Sequence, residues 1–179
     1  MVYLFLADGF EEIEALTPVD MLRRAGIDVT TVSINETATV NGAHGIKVIA
    51  DTTADKVSPV DIDAVILPGG LPGADNLRMD KTVNEFIDKA AENGKLLCAI
   101  CAAPRILGEK GLLKEKKATC FPGFEKYLEG AFAGDYGCIR DGNVITAKSM
   151  GKAVDFSTEI ISALKDSETA KRIKNSIFA

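Results

Sequence analysis

The chain has one histidine among its 179 residues, fewer basic than acidic side chains (21 against 26) and no long apolar run. Each shortage removes a class of function. A formal charge of -5 opposes binding to polyanions, because affinity for nucleic acid rests on Lys and Arg neutralising phosphates. Neither a nucleic-acid partner nor an anionic membrane surface is expected. The opening stretch, "MVYLFLADGFEEIEAL", holds an apolar run too short to span a bilayer, and it lacks the basic segment and cleavage site of a secretory signal. A cytoplasmic location is expected, where four cysteines read as free thiols rather than a disulfide framework. The scarcity of histidine removes most zinc chemistry too. Cys98, Cys101, Cys120 and Cys138 lack paired C-x-x-C spacing and no H-E-x-x-H occurs, so no metal is expected. There is no internal repeat and no linker rich in Pro, Gly or Ser. With 46% hydrophobic composition, residues 1–179 read as one domain with one core.

What the chain does have is alternation. "VYLFLA", "IDVTTVSI", "DIDAVILPGG" and "KLLCAI" are short apolar, β-rich runs that end at turn residues. Between and after them, "EEIEALTPVDMLRRAG", "DKTVNEFIDKAAENG", "CAAPRILGEKGLL" and "MGKAVDFSTEIISALK" carry helical spacing. In the first of these, Ile13, Leu16, Met21 and Leu22 supply the apolar period and Gly26 the stop. "ATVNGAHGIKVIAD" and "CIRDGNVITAK" read as hairpins, the second turning at Asp141-Gly142. Apolar strands alternating with helices predict an α/β fold, a mostly parallel sheet covered on both faces.

In such sheets ligands bind beyond the carboxyl ends of the strands. Three loops converge there: "DGFEEIEA", "PGGLPGADN" and "CAAP". Cys101 stands between an apolar strand and a helix with Pro104 in its first turn, the strand-to-helix layout of a nucleophile elbow. Facing the positive end of that helix, its thiol is expected to have a lowered pKa. Cys98 and Cys101 form a C-x-x-C, but along an extended strand at about 3.3 Å per residue their Cα atoms lie roughly 10 Å apart. A disulfide needs about 4.4–6.8 Å. Cys98 therefore reads as a buried strand residue. His44, the only imidazole, falls in the hairpin segment and reads as a surface or interface residue. Proton transfer is left to carboxylates. Glu11 and Glu12 read as solvated acids at a helix start, whereas Glu14 is placed to turn toward the sheet edge. Burial there would keep it protonated and able to serve the thiol.

The ordered set "DGFEEIEALTPVDMLRRAGI", "VILPGGLPGADNL", "AICAAPRIL" and "AVDFSTEIISAL" resembles the ThiJ/PfpI superfamily over nearly the whole chain. It is most similar to the branch of the parkinsonism-associated deglycase DJ-one and bacterial YajL. That resemblance implies a flavodoxin-like three-layer α/β/α sandwich, a homodimer, Cys101 as the oxidisable nucleophile and Glu14 as its protonated partner. It also implies an oxyanion-binding loop made by Gly69, Gly70 and the N–H of Ala102, with Arg24 and His44 near the interface and the mouth of the site. Three departures stand out. Protease-like members follow the nucleophile with histidine, where this chain has Ala102. DJ-one places histidine before a proline where this chain has Phe121 before Pro122, a change shared with the YajL branch. Of the family's Gly-Pro-Gly-Thr before the last long helix only Gly151 is retained, in "SMGKA".

The function these residues imply is a cysteine-dependent, cofactor-free enzyme of the glyoxalase or deglycase type, acting on small α-oxoaldehydes or glycated adducts. An alternative is a redox sensor or chaperone switched by oxidation of Cys101. A cysteine peptidase or amidase lacks its histidine.

Overall fold

The N-terminal strand β1 (Val2–Leu6) is buried along its whole length, because it runs through the middle of the sheet and both of its faces are covered. The computed structural model describes residues 1–179. Ten further strands follow: β2 (Val29–Ser33), β3 (Thr39–Asn41), β4 (Lys47–Ile49), β5 (Thr52–Thr53), β6 (Ala64–Leu67), β7 (Leu96–Ile100), β8 (Lys117–Ala118), β9 (Phe132–Ala133), β10 (Cys138–Asp141) and β11 (Val144–Ala147). Seven of the strands form the main sheet in the order β10-β11-β7-β6-β1-β2-β5, every pairing parallel except β10 with β11. The chain runs from β1 outward to β2 and β5 on one side, then crosses to β6 and β7 on the other. The carboxyl ends of β1, β6 and β7 therefore lie side by side where the winding reverses, the place where open α/β sheets take their ligands.

Six α-helices cover the sheet: α1 (Glu12–Arg24), α2 (Gly73–Met79), α3 (Lys81–Glu92), α4 (Pro104–Glu109), α5 (Ala153–Leu164) and α6 (Ser167–Ser176). Alternation along the strands sorts the core into two. Val2, Leu4 and Leu6 join Val19 and Leu22 of α1, Phe156 and Ile160 of α5 and Ile173 of α6 on one face. Tyr3 and Phe5 join Val83, Phe86 and Ile87 of α3 and Ile106 of α4 on the other. The ring of Phe86 meets Tyr3 and Phe5 edge-on, with centroids 4.8 and 5.1 Å apart. At the site end, the antiparallel β3–β4 hairpin rests on the start of α1: Phe10 bridges Gly42 and accepts the Ala43 N–H at 2.8 Å.

The α/β architecture, the four core strands and the two hairpins match the sequence expectations. Three features differ. Ile13 and Leu16 face outward, 46% and 37% exposed, because α1 is phased by Ala15, Val19 and Leu22 instead. The "CAAPRILGEKGLL" helix stops at Glu109, after six residues, and the chain turns through Gly111 at φ +71. Helices α2 and α6 are additional; α6 is capped by Asp166, whose carboxylate accepts the Thr169 N–H.

Candidate active site

Cys101 follows directly on β7 and has φ +65, the left-handed region where a side chain crowds its own carbonyl at roughly 1–2 kcal/mol. Long-range hydrogen bonds hold it there. Its N–H donates to the Ala147 carbonyl at 2.9 Å, and its own carbonyl accepts the Phe121 N–H at 2.8 Å. Both partners belong to segments that arrive later in the chain, so the elbow is imposed by the sheet rather than by local preference. Pro104 opens α4 three residues on.

Glu14 comes to the thiol from α1 and is 1% exposed. Its Oε2 accepts the Gly69 N–H at 2.9 Å, and the Met150 N–H and the Cys101 sulfur also lie against the carboxyl. A β-carbon on Gly69 would sit 2.5 Å from Glu14 Oε2 and 2.7 Å from Cys101 Cβ. Carboxyl and thiol thus face each other across a gap that only glycine leaves open. Burial pushes the Glu14 pKa up to about 7, against the hydrogen bonds from Cys101 and Gly69 that favour the carboxylate; the charge of Glu11 adds to the rise. Burial raises the Cys101 thiol as well, followed by the negative charge of Glu14, while the N–H groups of Ala102 and Gly70 pull the other way. This corrects the expectation of a lowered thiol pKa. A six-residue helix carries too little dipole to outweigh desolvation of the sulfur. The two groups titrate as one unit. The first proton leaves near neutrality from Glu14, whose charge then helps to keep the neighbouring thiol protonated, while two N–H groups face the sulfur.

A cysteine at a strained elbow, a buried carboxyl against it and two convergent N–H groups make a recognisable constellation. The DJ-1/PfpI family model matches residues 1–163. The chain belongs to this family. Among its relatives, protein DJ-1 homolog B of Arabidopsis thaliana is 37% identical over 96% of this chain, which spans only 40% of that protein's length. Deglycase PH1704 of Pyrococcus horikoshii is 32% identical over 92% of this chain and 100% of its own. The crystal structure of a C103A mutant of a DJ-1 superfamily protein from Salmonella typhimurium superposes with a TM-score of 0.93 at 35% identity, covering 99% of this chain and 97% of that one.

Within this DJ-1/PfpI fold the residues singled out from sequence divide into those at the thiol and those away from it. Cys101, Glu14, Gly69, Gly70, Ala102 and Phe121 are brought together. Gly69 has a different part from the one expected: its N–H is engaged by Glu14, which leaves Gly70 and Ala102 to face the sulfur. Gly70 has φ +87 and packs against the backbone of Gly9 and Glu11, where a side chain has no room. Arg24 lies at the other end of α1, paired with Asp20 at 2.6 Å. His44 does not reach the thiol. Its imidazole pairs with Glu12 at 2.8 Å and lies 3.4 Å from Glu11.

Glu12 is a second correction. It is 2% exposed rather than solvated, and its carboxylate accepts both the backbone N–H and the ring nitrogen of His44, each at 2.8 Å. These bonds hold its pKa below the usual range despite burial, and the same partner raises that of His44. The ligand atoms of Glu11, Glu12 and His44 fall within 4.8 Å of one another, a group already joined by its own hydrogen bonds. Asp8 fastens the hairpin from below, accepting the Asn41 N–H at 2.8 Å and the Asn35 side-chain amide at 2.9 Å.

Arg105 carries no sequence signal of its own. It is 8% exposed on α4, paired with Asp75 of α2, and its guanidinium lies 5.8 and 5.5 Å from the ring centroids of Phe124 and Tyr127. Arg78 of α2 answers it by pairing with Glu109 of α4 at 3.4 Å. The two helices so joined begin three residues after Gly70 and three after Cys101, whose loops meet at the thiol. No helix is long and apolar enough to cross a membrane.

Proposed function

We propose that this chain is a cysteine-dependent glyoxalase or deglycase acting on α-oxoaldehydes or their adducts. The observation that carries the reading is the buried Glu14 carboxyl, poised near neutral pH against the Cys101 thiol. In the singly ionised pair the Glu14 carboxylate takes the Cys101 proton as the sulfur attacks the aldehyde carbon, forming an S–C bond, and the carbonyl electrons move to oxygen beside the Gly70 and Ala102 N–H groups. Glu14 delivers the proton to that oxygen and becomes the base. It then takes the hydrogen from the former aldehyde carbon, the hydroxyl proton on that carbon's oxygen passes to the neighbouring ketone oxygen, and the neighbouring carbon receives the hydrogen back. The result is a thioester of a 2-hydroxy acid. Water cleaves it, releasing the acid and restoring the thiol. One carbon is oxidised while its neighbour is reduced, so electrons balance within the substrate and no redox cofactor is called for.

The Pyrococcus horikoshii relative bears the name deglycase, which supports this reaction class. A Cys-His hydrolase is disfavoured because the chain's single imidazole is bound to Glu12. The test is methylglyoxal turnover to lactate by the purified chain and by Cys101→Ala. Turnover is expected in the first and none in the second; activity surviving in Cys101→Ala overturns the mechanism. If neither turns over while mild peroxide oxidises Cys101 ahead of Cys98, Cys120 and Cys138, the thiol is a redox sensor instead.

We also propose a homodimer through α1 and the β3–β4 hairpin. Ile13 and Leu16 of the helix, and Ile46 and Ile49 of the hairpin, are 46%, 37%, 55% and 78% exposed, and the two elements are joined. Apolar side chains gathered on adjoining elements mark an association surface.

A further inference from the structure

Three segments distant in sequence approach the thiol through their backbones, and each carries a large apolar side chain that is half exposed. Leu71 follows Gly70, whose N–H faces the sulfur, and is 53% exposed. Phe121 donates its N–H to the Cys101 carbonyl at 2.8 Å and is 44% exposed. Met150 offers its N–H to the Glu14 carboxyl and is 51% exposed. A single exposed hydrophobe needs no explanation; three on segments whose backbones approach one thiol–carboxyl pair do. None can donate a hydrogen bond to a hydroxyl-rich sugar chain.

We propose that Leu71, Phe121 and Met150 form an apolar mouth that selects α-oxoaldehydes whose ketone carbon bears an aryl or bulky alkyl group, over the smallest members and over polar, sugar-derived ones. This rests on the oxoaldehyde reading. The thiolate and its two N–H donors hold the aldehyde end, which directs the substituent on the next carbon outward to these side chains. Transferring part of a phenyl group from water onto them supplies the discrimination, on the order of tenfold.

The test uses the full chain and two kinds of reagent. First, Cys101 alkylation by iodoacetamide and by N-benzyl iodoacetamide is followed by mass spectrometry, each rate divided by the rate with glutathione. Second, kcat/KM is measured for phenylglyoxal and methylglyoxal, normalised in the same way. A preference of about tenfold for the phenyl-bearing reagent is expected in both assays, falling toward parity in Leu71→Asn and Phe121→Asn. Benzyl preference in alkylation without turnover of either aldehyde leaves the mouth standing and overturns the enzymatic reading. Turnover with a glutathione-like ratio in both assays leaves the enzyme standing and overturns the mouth. A preference that survives both substitutions overturns the assignment to these residues.

Discussion

At the scale of single residues, the proposed chemistry depends on which of a buried carboxyl and a partly buried thiol keeps a proton. The Glu14 pKa is lifted from 4.5 to about 7, so below that pH the pair holds both protons and above it one is gone. Cys101 alkylation in the native chain is therefore expected to rise through a step near pH 7. In Glu14→Gln the step disappears and the rate climbs only in the alkaline range, because a lone desolvated thiol titrates high. A profile identical in both proteins disproves the coupling. The same shift acts on stability. A carboxyl whose folded pKa lies above its unfolded one destabilises the native state progressively as pH rises between the two values. Glu14→Gln is expected to match the native chain in thermal unfolding at pH 4 and to exceed it at pH 8, by up to about 3 kcal/mol. Gly69→Ala, which places a methyl between carboxyl and thiol, is expected to lower turnover about a hundredfold through misplacement. Steady-state kinetics on protein with an unchanged circular dichroism spectrum would settle it.

At the scale of elements, the paired helices α2 and α4 carry the loops of Gly70 and Cys101, and their two ion pairs run in opposite directions between them. Removing the partner of the buried guanidinium, as in Asp75→Ala, is expected to destabilise the fold by about 2 kcal/mol in urea unfolding, while Lys89→Ala, whose partner Glu92 is 66% exposed along its side chain, changes it by less than about 0.5 kcal/mol. Sequence legibility also divides by element. The buried strands β1, β6 and β7 are plain to read because a parallel sheet demands unbroken apolar runs. The elbow is legible because Pro104 marks where the strand gives way to a helix. Helix α1 is misleading: apolar Ile13 and Leu16 face out while Glu12 faces in, since the partner that satisfies Glu12 is His44, 32 positions away. Helix α2 is hidden by its Gly- and Pro-rich start, and α6 by having only Ala170 and Ile173 to bury. The lowered thiol pKa fails as an expectation for a similar reason. Local sequence shows the start of a helix, whereas burial and the approach of Glu14 are products of the whole fold.

At the scale of the molecule, the exposed apolar surface on α1 and the β3–β4 hairpin predicts self-association. Sedimentation should report a dimer for the native chain and a monomer for Ile13→Asp combined with Ile49→Asp; a native monomer at micromolar concentration refutes the interface. One last consequence follows from the order of strands. β11 completes the sheet by covering β7, and its Ala147 carbonyl holds the Cys101 N–H, while Met150 closes over Glu14. During synthesis, then, Cys101 emerges from the ribosome well before the residues that hold its elbow in place. Until those arrive, β7 is an uncovered apolar edge open to wrong pairing. The elbow and the Glu14 pocket are complete only in a chain whose synthesis has passed residue 150.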